Sequence, residues 1–120
     1  MKGEIILPYI ITRTTKKVEP SVLEDIKTKF GKAIEIFPGK TEKWLMVDFE
    51  DECKIWFHGD NDADSAFVEV KIFGTAGAKY FDMMTEAVCD ILNSTLSIPK
   101  ERIYVKYEEV SNWGWNSGNF

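Results

Sequence analysis

One stretch of acidic residues has a spacing suited to binding a metal ion. Asp60, Asp62 and Asp64 stand at alternate positions, as oxygen ligands do at the start of a calcium-binding loop. The rest of that pattern is missing, because Ser65 stands where such a loop needs glycine and Lys71 where its closing glutamate belongs. The sequence therefore predicts a solvated acidic turn here and no metal site.

Histidine and cysteine, which also bind metals or act as nucleophiles, are few. His58 has no second ligand at metal-binding spacing, so we predict a structural or exposed side chain. Cys53 and Cys89 lie far apart and form no Cys-x-x-Cys pair, which favours two reduced thiols, with Cys89 in the core. No cofactor is predicted.

Length and composition indicate a single domain. The 120 residues suffice for a hydrophobic core, and 44% of them are hydrophobic. The net charge is −5, with lysine and arginine spread among acids, which argues against a nucleic-acid partner. No apolar run approaches the roughly 20 residues that span a bilayer, and no cleavage site follows Met1 to Thr12. We therefore expect a cytoplasmic protein without a membrane partner.

The first half of the chain predicts a strand, a helix and two further strands. Ile5 to Thr12 is a β-branched run typical of a strand. From Pro20, a favourable first helical residue, apolar residues recur at helical spacing as far as Phe37, and Pro38-Gly39 stops the helix. The two further strands are Leu45 to Phe49 and Lys54 to His58.

The second half repeats this order. After a polar loop, Phe67 to Phe73 alternates apolar and charged residues as a strand does, and Gly74 to Ala78 forms a turn. A second helix follows, with apolar residues from Phe81 to Leu92, and Ile98-Pro99 ends the helical region. The last elements predicted are a strand from Arg102 to Val110 and a tight hairpin within Asn112 to Phe120.

Two β-α-β repeats predict an α+β fold with a four-stranded mixed sheet and both helices on one face. Leu45 to Asp51 even resembles Ile103 to Glu109 in sequence. From their sequence, the strands are too apolar on both sides for the helix-free face of the sheet to be exposed to water. Association through the sheets, and hence an oligomer, is the expectation.

Four short motifs carry a resemblance to a known family. The C-terminal strand and tail, Ile98 to Tyr107 followed by Asn112 to Asn116, resemble the end of the macrophage migration inhibitory factor and D-dopachrome tautomerase family. Leu7 to Thr12 is similar to the family's Met-Pro start and first strand. The other two motifs are Gly39-Lys40, shortly before the strand led by Trp44, and Phe73-Gly74, before the second helix.

The resemblance covers Pro8 to Phe120, which we take as one tautomerase domain preceded by an extension of residues 1 to 7. It implies a homotrimer whose sheets form a central barrel, with active sites between subunits. It also implies keto–enol tautomerisation of an α-keto acid such as phenylpyruvate. The family's base is an amino-terminal proline, here Pro8, whose free amine would titrate near neutral pH.

The resemblance also implies the residues that hold the substrate. Lys40 would bind the carboxylate together with the backbone N–H of Phe73. Tyr104 would reach the pocket across a subunit interface, and Lys106, which stands where the mammalian proteins carry asparagine, would add a second cation or simply surface charge. The remaining pocket residues implied are Trp115 and Phe120, with Trp44 as a possible wall.

The sequence departs from the family at its start. Met1 to Ile6 precede Leu7, so Pro8 has an acylated nitrogen and cannot act as a base in the chain as written. Our hypothesis is a misassigned start: a leucine codon at Leu7 can initiate translation in bacteria, and Lys2-Gly3-Glu4 can be encoded by a ribosome-binding sequence. The alternative is a real extension on a non-catalytic homologue.

Three functions remain open on the sequence alone. The first is a cofactor-independent phenylpyruvate-type tautomerase, and the second is a binding or cytokine-mimic protein of the same fold. The third is another superfamily reaction, such as dehalogenation or decarboxylation, which uses an extra pocket acid or arginine. A thiol oxidoreductase activity, proposed for mammalian members of the family, depends on a Cys-x-x-Cys pair. It is not expected here, because the corresponding positions are approximately Ser65 and Val68.

Overall fold

A computed structural model describes residues 7 to 120. The elements follow the predicted strand–helix–strand order twice and end in a short hairpin. Single 3₁₀ turns lie at Ile34–Ile36, Glu42–Trp44 and Lys100–Arg102. The strands and helices are β1 (Pro8–Thr14), α1 (Pro20–Ala33), β2 (Met46–Glu50), β3 (Ala66–Phe73), α2 (Ala78–Leu96), β4 (Ile103–Val110), β5 (Gly114–Trp115) and β6 (Gly118–Asn119).

The four long strands form one mixed sheet in the order β2-β1-β3-β4. β1 runs parallel to β2, and β3 runs parallel to β4, as expected for strands joined through a helix. The two units meet antiparallel at the centre, where Pro8 of β1 lies opposite Ile72 of β3. The predicted α+β fold of two β-α-β repeats is confirmed.

Both helices cover the same face of the sheet. Ile10, Val68 and Val70 point toward the helices and are fully buried, together with Phe30 of α1 and Met84 of α2. The helix α1 begins at Pro20, whose fixed φ suits the first turn. Cys89 of α2 packs at the edge of this core and is only partly buried.

Helix ends differ slightly from the prediction. α1 ends at Ala33, and the apolar residues after it continue as a 3₁₀ turn, before Gly39 reverses the chain with φ of 81°. α2 ends at Leu96 because Ser97 adopts a left-handed conformation, one residue before the predicted Ile98-Pro99 stop. The first strand extends to Thr14, and residues 5 and 6, which the prediction included, lie outside the described residues.

The predicted strand at Lys54 to His58 is wrong. The chain between β2 and β3 is a loop whose one bridge pairs Phe57 with Asp60 around a tight turn, with positive φ at His58 and Gly59. Arg102 fixes this loop, since its guanidinium donates to Ser65 Oγ at 3.0 Å and to the Asp60 carbonyl at 3.1 Å. Arg102 also pairs with the Asp60 carboxylate, so the acidic turn has a structural partner.

The helix-free face is less apolar than the sequence suggested. Charged residues alternate with apolar ones, and they pair across strands, as Arg13 does with Glu50 and Lys106 with Glu69. Three large apolar side chains nevertheless stay exposed here: Met46, Phe67 and Tyr104. The expectation of association is therefore supported by exposed apolar side chains on a charged face rather than by a wholly apolar face. Phe67 and Tyr104 contact each other, and Met46 lies apart from them, opposite Tyr9.

The tail forms the predicted hairpin. Gly114–Trp115 pairs antiparallel with Gly118–Asn119, and Asn116 and Ser117 both have positive φ at the turn. The N–H of Phe120 donates to the Trp113 carbonyl at 3.0 Å and closes the hairpin. None of the helices described is long and apolar enough to cross a membrane.

Candidate active site

A cleft of about 790 Å³ opens at the end of the sheet where β1 begins. The start of β1, the turn before β2, the ends of β3 and β4, and the tail all contribute to its walls. Its lining residues are Leu7, Pro8, Tyr9, Lys43, Trp44, Leu45, Met46, Lys71, Val110, Asn112, Trp113, Gly114 and Trp115.

Pro8 is the first residue of β1, is buried and lines this cleft. Leu7 precedes it, so the proline nitrogen belongs to a peptide bond in the chain described. The Leu7 side chain is only 4% exposed and lines the same cleft. Leu7 therefore has two effects on the site. Its side chain fills part of the cleft, and its carbonyl carbon acylates the proline nitrogen.

The backbone N–H of Phe73, expected to hold a substrate oxygen, is already bonded. It donates to the Leu7 carbonyl oxygen at 3.2 Å. Leu7 thus takes up both the proline nitrogen and the neighbouring hydrogen-bond donor. A chain that begins at Pro8 would have both groups free.

An aromatic cluster brings together four residues singled out from the sequence. The rings of Trp44 and Trp115 meet edge to face with centroids 5.1 Å apart, and Trp115 stacks near Phe120 at 6.1 Å. Phe120 in turn contacts the ring of Phe73 at 5.7 Å. The tail hairpin therefore builds an aromatic wall beside Pro8, suited to the ring of an aromatic ligand.

Lys40 does not line the cleft. The residue as a whole is 5% exposed, and its ammonium lies 5.8 Å from the centroid of the Phe37 ring. Burial lowers the pKa of Lys40 below its usual value. Within residues 7 to 120 this ammonium has no carboxylate partner and no hydrogen bond. Lys40 Nζ is not among the fully buried unpaired polar atoms of the described chain, so its charge is partly desolvated, and an anionic ligand would compensate it.

Tyr104 and Lys106 lie away from the Pro8 end of the sheet in the same chain. Tyr104 stands opposite Phe67 on β3, whereas Pro8 stands opposite Ile72. Five residues along a strand correspond to about 17 Å. Tyr104 instead packs edge to face against Phe57, with centroids 5.4 Å apart. The cleft of a single chain is therefore built without Tyr104.

Sequence reasoning missed two lysines of the cleft, Lys43 and Lys71. Lys71 lies on β3 directly opposite Tyr9, the residue that follows Pro8. The alternation along Phe67 to Phe73 could have placed Lys71 on the same sheet face as Tyr9, but only after the strand register was known. Lys43 lies in a 3₁₀ turn, which has no clear sequence signal.

Tyr9 is held in place by a strong hydrogen bond. Its hydroxyl donates to Asp48 Oδ2 at 2.7 Å, across the β1–β2 pair. This bond, together with partial burial and the nearby carboxylates, raises the pKa of Tyr9 to about 12. The phenol therefore stays protonated near neutral pH and is unsuited to acid–base exchange there.

Comparison with known proteins identifies the family. The sequence model described as Macrophage migration inhibitory factor (MIF) matches residues 7–120, which is nearly the whole chain. The chain belongs to the macrophage migration inhibitory factor family. With it comes membership of the tautomerase superfamily, and the resemblance seen in the sequence is confirmed.

Individual relatives agree with this assignment over nearly their whole length. Macrophage migration inhibitory factor of Xenopus laevis is 27% identical over 119 residues, covering 95% of this chain and 99% of that protein. MIF2 of Leishmania major superimposes with a TM-score of 0.88 at 29% identity, covering 95% and 97% of the two chains. A homologue from Prochlorococcus marinus has a TM-score of 0.78 at 27% identity, covering 93% and 98%.

Proposed function

We propose that this protein is a cofactor-independent keto–enol tautomerase for phenylpyruvate-like α-keto acids, with the Pro8 amine as its base. The observation that carries the proposal is the position of Pro8. It is buried at the start of β1, inside a cleft with an aromatic wall and lysines as its charged lining in the described chain. Such a cleft suits a ligand with a ring at one end and a carboxylate at the other.

The chemistry requires a neutral secondary amine. A free α-amino group titrates near 7.7–8.0 in model compounds, and burial beside cations lowers that value. The amine takes a proton from the carbon next to the keto group, and the C–H electron pair forms the enol double bond. The resulting ammonium gives its proton to the former keto oxygen, so the reaction has no net loss or gain of atoms.

The active form in this proposal begins at Pro8. Residues 1 to 7 would then be absent, through a misassigned start or removal. Their absence would remove three obstacles to substrate binding and catalysis. The Pro8 nitrogen would become an amine, the Phe73 N–H would lose its bond to the Leu7 carbonyl, and the space of the Leu7 side chain would open. Substrate oxygens would take the place of that carbonyl.

A homotrimer completes the site in this proposal. Tyr104 and Lys106, remote from the cleft of their own chain, would serve the cleft of a neighbouring subunit. The exposure of Met46, Phe67 and Tyr104 on the helix-free face supports association there. Lys40 does not line the cleft of the described chain, so in this proposal it would reach the substrate carboxylate only in the assembled form that begins at Pro8.

The second candidate function is non-catalytic binding by a cytokine-like protein. The acylated nitrogen of Pro8 favours it, since the full chain retains the cleft but lacks the base. The other superfamily reactions have less support, because the described lining of the cleft contains neither a carboxylate nor an arginine that could activate water. These reactions are therefore not proposed.

The experiment is an assay of phenylpyruvate tautomerisation by a form whose first residue is Pro8, confirmed by intact mass. The control is the same form carrying Lys29→Met, a change on the exposed surface of α1. We expect Pro8→Ala to lower the rate by at least about a hundredfold, the contribution of a positioned general base. Full activity of Pro8→Ala would contradict the proposal.

A further inference from the structure

The charge of the cleft differs from that of the whole chain. The protein carries a net charge of −5, yet the charged side chains that line the cleft within residues 7 to 120 are Lys43 and Lys71. A concave site with charges of one sign concentrates ions of the other sign. The cleft therefore carries positive charge on a protein of net negative charge, which favours an anionic ligand in the cleft.

Lys71 is the less exposed of these two cations and lies on β3, the strand that pairs with the start of β1. It lies opposite Tyr9 on one side and opposite Glu108 on the other, one residue before Ile72, the partner of Pro8. Its ammonium lies 5.9 Å from the centroid of the Tyr9 ring. Since Asp48 fixes the Tyr9 hydroxyl, this ring gives the lysine a defined support.

The Lys71 ammonium keeps donors free for a ligand. Its one carboxylate neighbour in the described chain is Glu108, with 3.9 Å between Nζ and Oε1. That distance is too long for a hydrogen bond, and Glu108 also lies 3.6 Å from Lys106. A ligand carboxylate at hydrogen-bond distance would therefore compete well for Lys71.

Lys43 stands at a second position on the wall. Its ammonium lies 5.4 Å from the centroid of the Trp44 ring, which belongs to the aromatic cluster with Trp115. Lys43 is exposed, so it adds charge at the rim, whereas Lys71 is one-third exposed on the sheet. Aromatic rings and lysine ammonium groups thus line the same cleft.

We infer that Lys71 directly binds the carboxylate of an aromatic carboxylic acid in this cleft, with Lys43 as a second cation at its rim. This inference deepens the proposed function and rests on it for the role of the cleft. It assigns the anion contact to residues on the cleft wall, whereas Lys40 lies outside the lining of the cleft in the described chain. The ring of the same ligand lies against Trp44 and Trp115.

The test compares two ligands of nearly the same shape, the anion phenylacetate and the neutral amide phenylacetamide, by tryptophan fluorescence titration of the 120-residue chain and of the form that begins at Pro8. Neither ligand is turned over, so binding is read independently of catalysis. Lys71→Met keeps the apolar stem and removes the charge, Lys71→Arg restores a cation, and Lys29→Met is the surface control. Thermal unfolding of each variant checks that the fold is kept.

We expect Lys71→Met to weaken phenylacetate binding about tenfold, the value of one charge-assisted hydrogen bond, and to leave phenylacetamide unchanged. Lys71→Arg should restore most of the affinity, and Lys29→Met should have no effect. Unchanged phenylacetate binding in Lys71→Met, an equal loss for both ligands, or no phenylacetate binding either to the 120-residue chain or to the form that begins at Pro8 would overturn the inference.

The two proposals fail in distinguishable ways. Phenylacetate binding that depends on Lys71, in a protein without tautomerase activity even when it begins at Pro8, would contradict the proposed function and leave this inference intact. If the KM for phenylpyruvate were the same in Lys71→Met, and phenylacetate and phenylacetamide bound equally well, the proposed function would stand and the inference about Lys71 would be contradicted.

Discussion

The backbone N–H of Phe73 donates to the carbonyl oxygen of Leu7 across 3.2 Å. This bond joins the end of β3 to the residue before Pro8, and it occupies a donor that the family resemblance assigns to the substrate. Because Leu7 also acylates the proline nitrogen, one residue accounts for the loss of both groups. In the proposed function, the presence or absence of Leu7 therefore determines whether Pro8 and the Phe73 N–H are available to a substrate.

The buried lysine Lys40 should cost stability in the absence of ligand. We expect Lys40→Met to raise the free energy of unfolding, since it removes a partly desolvated cation that has no counter-ion among the described residues. We also expect it to raise KM for phenylpyruvate. Denaturant unfolding and steady-state kinetics measure the two effects.

The same lysine predicts a pH dependence of stability. Burial lowers the pKa of Lys40 in the folded state. As the pH rises, the folded chain therefore loses the Lys40 proton before the unfolded chain does. The free energy of unfolding should therefore rise, relative to Lys40→Met, as pH increases through the lowered pKa toward 10.5. Parallel pH profiles for the two proteins would contradict a buried, charged Lys40.

Two threonines of β1 should respond in opposite ways to the same substitution. Thr12 Oγ1 is buried without a hydrogen bond among the described residues, whereas Thr14 Oγ1 donates to the Ser65 carbonyl at 2.8 Å. We expect Thr12→Val to stabilise the fold by about 1 kcal/mol and Thr14→Val to destabilise it by about 1 kcal/mol. Urea unfolding gives both values, and equal signs would contradict the hydrogen-bond assignment.

A site shared between subunits predicts complementation. Chains that begin at Pro8 and carry either Pro8→Ala or Tyr104→Ala should each have low activity alone. In trimers co-expressed from equal amounts of both, about one quarter of the sites would pair an intact Pro8 with an intact Tyr104 from the neighbour. Recovery of about a quarter of the activity is expected, and no recovery would contradict the shared site.

Much of the fold could be predicted because its signals are local. The alternation in Phe67 to Phe73 and the helical spacing after Pro20 gave two β-α-β units, and the Gly-Trp-Asn tail gave the hairpin. The strand at Lys54 to His58 was wrong because its apolar residues resemble a strand, whereas the turn at His58 and Gly59 and the contacts of Arg102 decide the conformation.

The site was predicted only in part because its geometry depends on strand register and on backbone groups. The aromatic residues Trp44, Trp115 and Phe120 were identified through the resemblance and do meet beside Pro8. Lys71 required the pairing of β1 with β3, which no local pattern specifies. The hydrogen bond between Leu7 and Phe73 joins two backbone groups, so the identities of the side chains do not predict it.

The most direct test of the central claim compares the full 120-residue chain with a form that begins at Pro8, each verified by intact mass, in phenylpyruvate tautomerisation at pH 7. The account predicts a rate at least about a hundredfold higher for the form that begins at Pro8. Equal rates would contradict the role of a free Pro8 amine. No activity in either form would contradict the tautomerase proposal and favour a binding protein.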